Sequence, residues 1–234
     1  LEQFRGEPRL VSRLAKLYEA AGELAKLGQL MIEAAEQAPD DEARFQALTQ
    51  GAEMLLRQGD PGGAFAALEK ATALKPKDRA VRRLLADASL AAGLFVEAIE
   101  ILQSLINDAK GVDAAEVAGL YHRLSRAAFG QGDDEARLNA LKKALDVDRR
   151  NGDVAAELAD MAEESGDDDL ALKALRTITL HAGKGPMTPA VAFYRQARIA
   201  ARQGDKQRAI IFAKRALQEN PELEQAQELL REIR

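Results

Sequence analysis

An all-α chain, a solenoid of antiparallel helix pairs, is the fold class this sequence predicts, and three observations carry it. Hydrophobic residues make up 47% and charged residues 30% of the 234 residues, a globular balance. Aromatics are only 4%, tryptophan is absent and alanine fills much of the apolar quota, which favours close helix-on-helix packing over a branched and aromatic sheet core. Glycines recur at 22, 59, 93, 132, 166 and 204, with apolar residues at three- and four-residue spacing on both sides of each.

Taken in order, the elements follow one template. Units start at about 8, 45, 79, 118, 152 and 190, and each opens with an amphipathic helix that runs to its glycine. That glycine suits the left-handed conformation that ends a helix, and Asp60, Asp133, Asp167 and Asp205 follow it as start signals for the second helix. Five residues beyond the glycines stand Leu27, Ala64, Ala98, Arg137, Ala171 and Ala209, mostly small so that two backbones can approach. Met31, Leu68, Leu102, Leu141, Leu175 and Ala213 follow nine residues after the glycines, then Ala34, Ala71, Leu105, Ala144, Ile178 and Ala216, predicting a buried face. Pro39, Pro76 and Pro221 close three of the second helices, where Lys110, Arg149 and Gly183 close the others. Arg137 departs from the template, and either a local shift onto Ala136 or a stem that snorkels to the surface is expected there.

The intervals between unit starts are 37, 34, 39, 34, 38 and 34 residues, counting a last helix near 224. Extra residues therefore fall after every second unit, around 42–44, 111–117 and 185–189, and 111–117 and 185–189 are expected as longer loops. Gln-Gly-Asp at 58–60, 131–133 and 203–205 shares this longer period, so the sequence reads as duplication of a four-helix block. The stretches RQGDPGGAFAALEKATALKP (57–76) and RQGDKQRAIIFAKRALQENP (202–221) are two copies of one member, two periods apart. Six units are expected over 8–221, with 1–7 as the end of a preceding repeat or an unrelated remnant. Residues 222–234 are expected as the first helix of a seventh unit or a cap, so that the whole reads as a piece of a longer array.

Helix pairs with Gly, Ala, apolar, Ala and Pro at these offsets resemble the tetratricopeptide repeat, over residues 8 to 234. The resemblance implies a right-handed superhelix whose first helices line a concave groove through set template positions. On this sequence those positions carry His122, Arg123, Arg126 and Phe129 in the fourth unit. They carry Asp153, Glu157 and Asp160, with Glu163 and Glu164, in the fifth, and Tyr194, Arg195, Arg198 and Arg202 in the sixth. An acidic band thus lies between two arginine-rich ones, an arrangement that would serve a partner with complementary patches. A charged helix exterior equally needs no partner to explain it. The implied function is a protein–protein interaction scaffold. The paired-repeat style resembles long bacterial members that recruit partners, small Ras-like GTPases among them, to cell poles or envelope machines. The lysine and asparagine clamp that some members close on C-terminal carboxylates is not matched, since position nine reads Lys16, Glu53, Asp87, Arg126, Asp160 and Arg198.

Nothing in the sequence points to catalysis, a metal or a cofactor. Cysteine is absent, and the two histidines, His122 and His181, are 59 residues apart without companion carboxylates. His122 is expected on the solvent side of the groove and His181 in a loop. Asp167, Asp168 and Asp169 sit in a turn where acids favour the positive end of the next helix, so capping explains them better than a cation site. Gly183-Lys184-Gly185-Pro186 lacks phosphate-loop spacing and reads as a loop. A net charge of −5 and acids in the groove argue against nucleic acid, the function of other helical repeats and the main alternative. A non-catalytic regulatory region of a larger enzyme is the other. No apolar run is long enough to insert in a membrane, and a cytoplasmic location is expected.

Overall fold

A computed structural model describes residues 8–181 and 185–233 of the chain, with side chains from residue 11 onward. The expectations for residues 1–7 and for Gly183 and Lys184 lie outside the described residues. The fold is all-α, a helical-repeat solenoid, with thirteen helices and no strand among the described residues.

The helices are α1 (Pro8–Ala21), α2 (Leu24–Ala35), α3 (Asp41–Arg57), α4 (Pro61–Leu74), α5 (Arg79–Ala91), α6 (Phe95–Asn107) and α7 (Ala114–Gln131). They continue with α8 (Asp134–Val147), α9 (Gly152–Glu164), α10 (Asp168–Leu180), α11 (Pro189–Arg202), α12 (Lys206–Glu219) and α13 (Glu224–Ile233). Two compact units result. One comprises Leu1–Lys110 with Arg126–Asp133, the other Gly111–Ser125 with Asp134–Arg234, so that the turns of α7 are divided between them.

All six template glycines have φ between 70° and 78°, a conformation that costs an L residue about 1–2 kcal/mol. Around Gly59 the amide of Asp60 donates to the Leu55 carbonyl and that of Gly59 to Leu56, the paired bonds of a Schellman close. The same two bonds recur at Gly93, Gly132, Gly166 and Gly204. Asp60, Asp167 and Asp205 then accept from the amides of Gly63, Leu170 and Arg208 and start the second helix.

The extra residues at 42–44 add a helical turn at the start of α3, and of the loop expected at 111–117 only 111–113 stay outside a helix, 114–117 being an added turn of α7. Local caps explain it. Asp40 Oδ1 accepts from the Ala43 amide at 2.7 Å, and Asp113 Oδ1 from Ala115 at 3.0 Å. After α10 the described residues 185–188 are non-helical, and the next helix starts at Pro189 behind the Thr188 cap.

In the first unit Leu48, Ala52, Leu55, Ala64, Leu68, Ala71 and Val81 form one buried cluster. In the second, Leu141, Ala144, Val154, Leu158, Ala171, Leu175 and Ile178 form another. Leu68, Ala71, Leu102, Leu141, Leu175 and Ala216 have no exposed surface at all. Two glycines off the template mark a close approach of two helix backbones: a Cβ at Gly28 of α2 would lie 2.8 Å from the Gly51 carbonyl of α3, and the reverse holds equally.

Candidate protein-binding site

Several predicted groove residues of the second unit sit on neighbouring first helices and bring carboxylates against nitrogen-bearing side chains. His122 Nε2 of α7 lies 2.8 Å from Glu157 Oε1 of α9, and Arg137 of α8 approaches the other carboxylate oxygen at 3.9 Å. Arg137 thus keeps its stem covered at the position where the template has alanine and brings its head to an acid; the neighbouring Ala136 is exposed.

Between α9 and α11 the pairing is tighter. Arg195 donates through Nε to Glu163 Oε1 at 2.6 Å and through Nη1 to Asp160 Oδ1 at 2.5 Å. Both Arg195 and Glu163 are mostly covered, and the Met187 sulfur lies 3.8 Å from the same guanidinium. Burial alone would lower the arginine pKa, but the bonds to Asp160 and Glu163 outweigh it and hold the value above the ordinary one. Arg202 bonds Asp168 at the start of α10, which Gln203 also reaches at 3.1 Å.

What remains open is a smaller set. Arg198 is half exposed, 6.0 Å from the Tyr194 ring, and only loosely near Glu163 at 3.6 Å. Glu164 is exposed without an ion-pair partner among the described residues. These two, with Asp160, Glu163, Arg195 and Arg202, line a depression of about 360 Å³. Asp153 is exposed in the first turn of α9, where an acid complements the helix dipole. Arg123 turns back to the Gly119 carbonyl of its own helix at 3.2 Å. Arg126 and Phe129, both exposed, belong to the first unit with the end of α7, where Gly130 makes room for the Phe95 ring.

His122 is not a freely solvated groove residue, being only 24% exposed. His181 stands at the end of α10 as a loop residue. Asp167 caps a helix as expected, whereas Asp168, read from sequence as part of the same turn, joins the site through Arg202. The signal for these pairs was in the spacing: Glu157 follows His122 by 35 residues and Arg195 follows Asp160 by 35, one repeat length. Opposite charges one period apart on first helices are neighbours in a solenoid. Among the described residues no group of three or more His, Cys, Asp or Glu could hold a metal ion, and no helix is long and apolar enough to cross a membrane.

Models of the tetratricopeptide repeat match residues 55–124, 118–151 and 189–224. The chain belongs to the tetratricopeptide repeat family. Solved tetratricopeptide structures share its fold. PilF of Pseudomonas aeruginosa is 18% identical with a TM-score of 0.58, over 99% of this chain and 98% of that one. MamA of Desulfovibrio magneticus RS-1, from residue 41 to its end, is 20% identical with a TM-score of 0.58, over 74% of this chain and 93% of its own. YrrB, described as a tetratricopeptide protein with an unusual peptide-binding site, is 16% identical with a TM-score of 0.54, over 79% and 91%. No curated protein matches this tetratricopeptide chain in sequence.

Proposed function

We propose that the chain is a protein–protein interaction scaffold without chemistry of its own, and that the first-helix face of α9 and α11 receives a segment of a partner protein. One observation carries this. Arg195 clasps the two helices together while Arg198 and Glu164 keep unused polar valence in the lining of one depression, with the Tyr194 ring 6.0 Å from Arg198. A pre-ordered surface with spare arginine and aromatic groups is the usual material of interface hot spots, because little entropy remains to be lost on binding. The fold of a peptide-binding protein such as YrrB supports the same reading.

Within the face, His122, Glu157, Asp160 and Arg195 act as scaffold, and Asp153, Tyr194, Arg198 and Arg202 as contact residues. Arg123 extends the proposed contacts onto α7, and Arg126 and Phe129 are proposed as contacts of the first unit by itself. The narrower reading of the partner as a small Ras-like GTPase in bacterial polarity or envelope machinery rests on the style of the repeats alone. An RNA partner is disfavoured by the carboxylates of Asp160, Glu163 and Glu164, which would meet phosphate.

The test begins with partners captured from the source cell and measured by calorimetry. Arg198→Glu should weaken binding about tenfold and flatten its salt dependence, as loss of a rim charge does. Lys214→Glu, an exposed reversal on α12, should leave affinity unchanged. Equal affinities for wild type and Arg198→Glu would move the site to another surface, and salt-sensitive micromolar binding to RNA would replace the proposal.

A further inference from the structure

The first unit holds an apolar groove of about 290 Å³ where the ends of α2 and α4 meet the start of α3. Its floor is Ala35 and Leu48, both buried members of the core, so it cannot collapse without repacking that core. Its walls are the half-buried side chains of Ile32 and Leu74, with Ala73 at the mouth.

Size and charge say what would enter. A cavity of about 150 Å³ holds a benzene molecule, so this groove has room for one large apolar side chain with some to spare. Glu36 stands on the α2 side and Lys70 on the α4 side, both exposed and neither ion-paired among the described residues. The third charged group, Arg44, is already used: its Nε donates to the Ala35 carbonyl at 3.3 Å and its Nη1 to Asp41 at 3.0 Å. The groove therefore offers an apolar slot between one free acid and one free base.

We infer that this groove is a second docking site, which takes a single aromatic or leucine-sized anchor from an amphipathic partner segment carrying an acid towards Lys70 and a base towards Glu36. It is independent of the α9 and α11 face and stands or falls separately from it.

The test uses two probes. The neutral apolar dye N-phenyl-1-naphthylamine should brighten on binding wild type, and Ala73→Trp, which fills the mouth from an exposed position, should weaken it about tenfold or more. A random dodecapeptide display library, counter-selected on Ala73→Trp, should return sequences with an apolar residue flanked by an acid and a base. The double reversal Glu36→Lys with Lys70→Glu should invert the flanking charges while keeping the apolar anchor. Circular dichroism checks that each variant keeps wild-type helicity. Equal dye binding by wild type and Ala73→Trp, or recovered peptides that bind both equally or ignore the double reversal, would overturn the inference.

Discussion

Glu163 of α9 and Arg195 of α11 are 2.6 Å apart, each only about one-seventh exposed, at 13% and 14%. Two charges taken this far from water must satisfy one another, because removing either strands its partner. Arg195→Met should therefore cost about 3 kcal/mol in urea unfolding, the lower end of the range for breaking a buried pair. Arg198→Met, whose contact is longer and half exposed, should cost under about 1 kcal/mol. A neutral Arg195→Met would mean that the pair is solvated.

Leu141 of α8 has no exposed surface and belongs to the cluster with Leu145, Val154 and Leu175. Leu141→Ala should cost roughly 2–5 kcal/mol, the range for a truncated core leucine. An unchanged melting curve would show that the helix packs in another register.

Gly59 and Gly62, three residues apart, should respond oppositely to alanine. Gly59 has φ 78°, so alanine there should destabilise by about 1–2 kcal/mol. Gly62 lies in the first turn of α4 with only Asp60 near its missing Cβ, at 3.9 Å, and Gly62→Ala should stabilise by about 0.5–1 kcal/mol. Gly28→Ala should again be costly, about 1–3 kcal/mol, for a different reason: its Cβ would meet the Gly51 backbone of the next helix. Thermal melts of the three variants check the order.

Lys75 Nζ bonds Glu42 Oε2 at 2.6 Å and sits 4.1 Å from the Phe45 ring. The hydrogen bond from Lys75, aided by Gln46, lowers the Glu42 pKa below the ordinary glutamate value. A depressed folded pKa contributes stability that is present above the unfolded value and is lost as pH falls through the folded one. Carboxyl-carbon NMR should find Glu42 titrating below a typical glutamate, and Lys75→Met should move its midpoint up. A midpoint unchanged by that substitution would remove Lys75 as the cause.

The sequence by itself determined the class of fold, its turns and its core, because each of these follows from local chemistry repeated in phase. Gly59 and Gly204 mark turns wherever they occur, since a positive φ is a property of the residue. Leu68 and Ala216 are buried because helical spacing puts them on the apolar face of their own helices. The charged residues on first helices were also legible as a list. Which of them cancel was decided only by the tertiary structure, since Asp160 and Arg195 become neighbours when one repeat stacks on the next. That stacking turned an apparent acidic band into a clasp and left Arg198 and Glu164 more open. It also decided why Gly28 and Gly51 stand inside helices, a choice that costs helix propensity and makes sense only where two backbones touch. The added turn of α7 is another case the tertiary structure decided: an interval longer than the repeat reads as a loop until the backbone shows the Asp113 cap engaged, as Asp40 is at the start of α3.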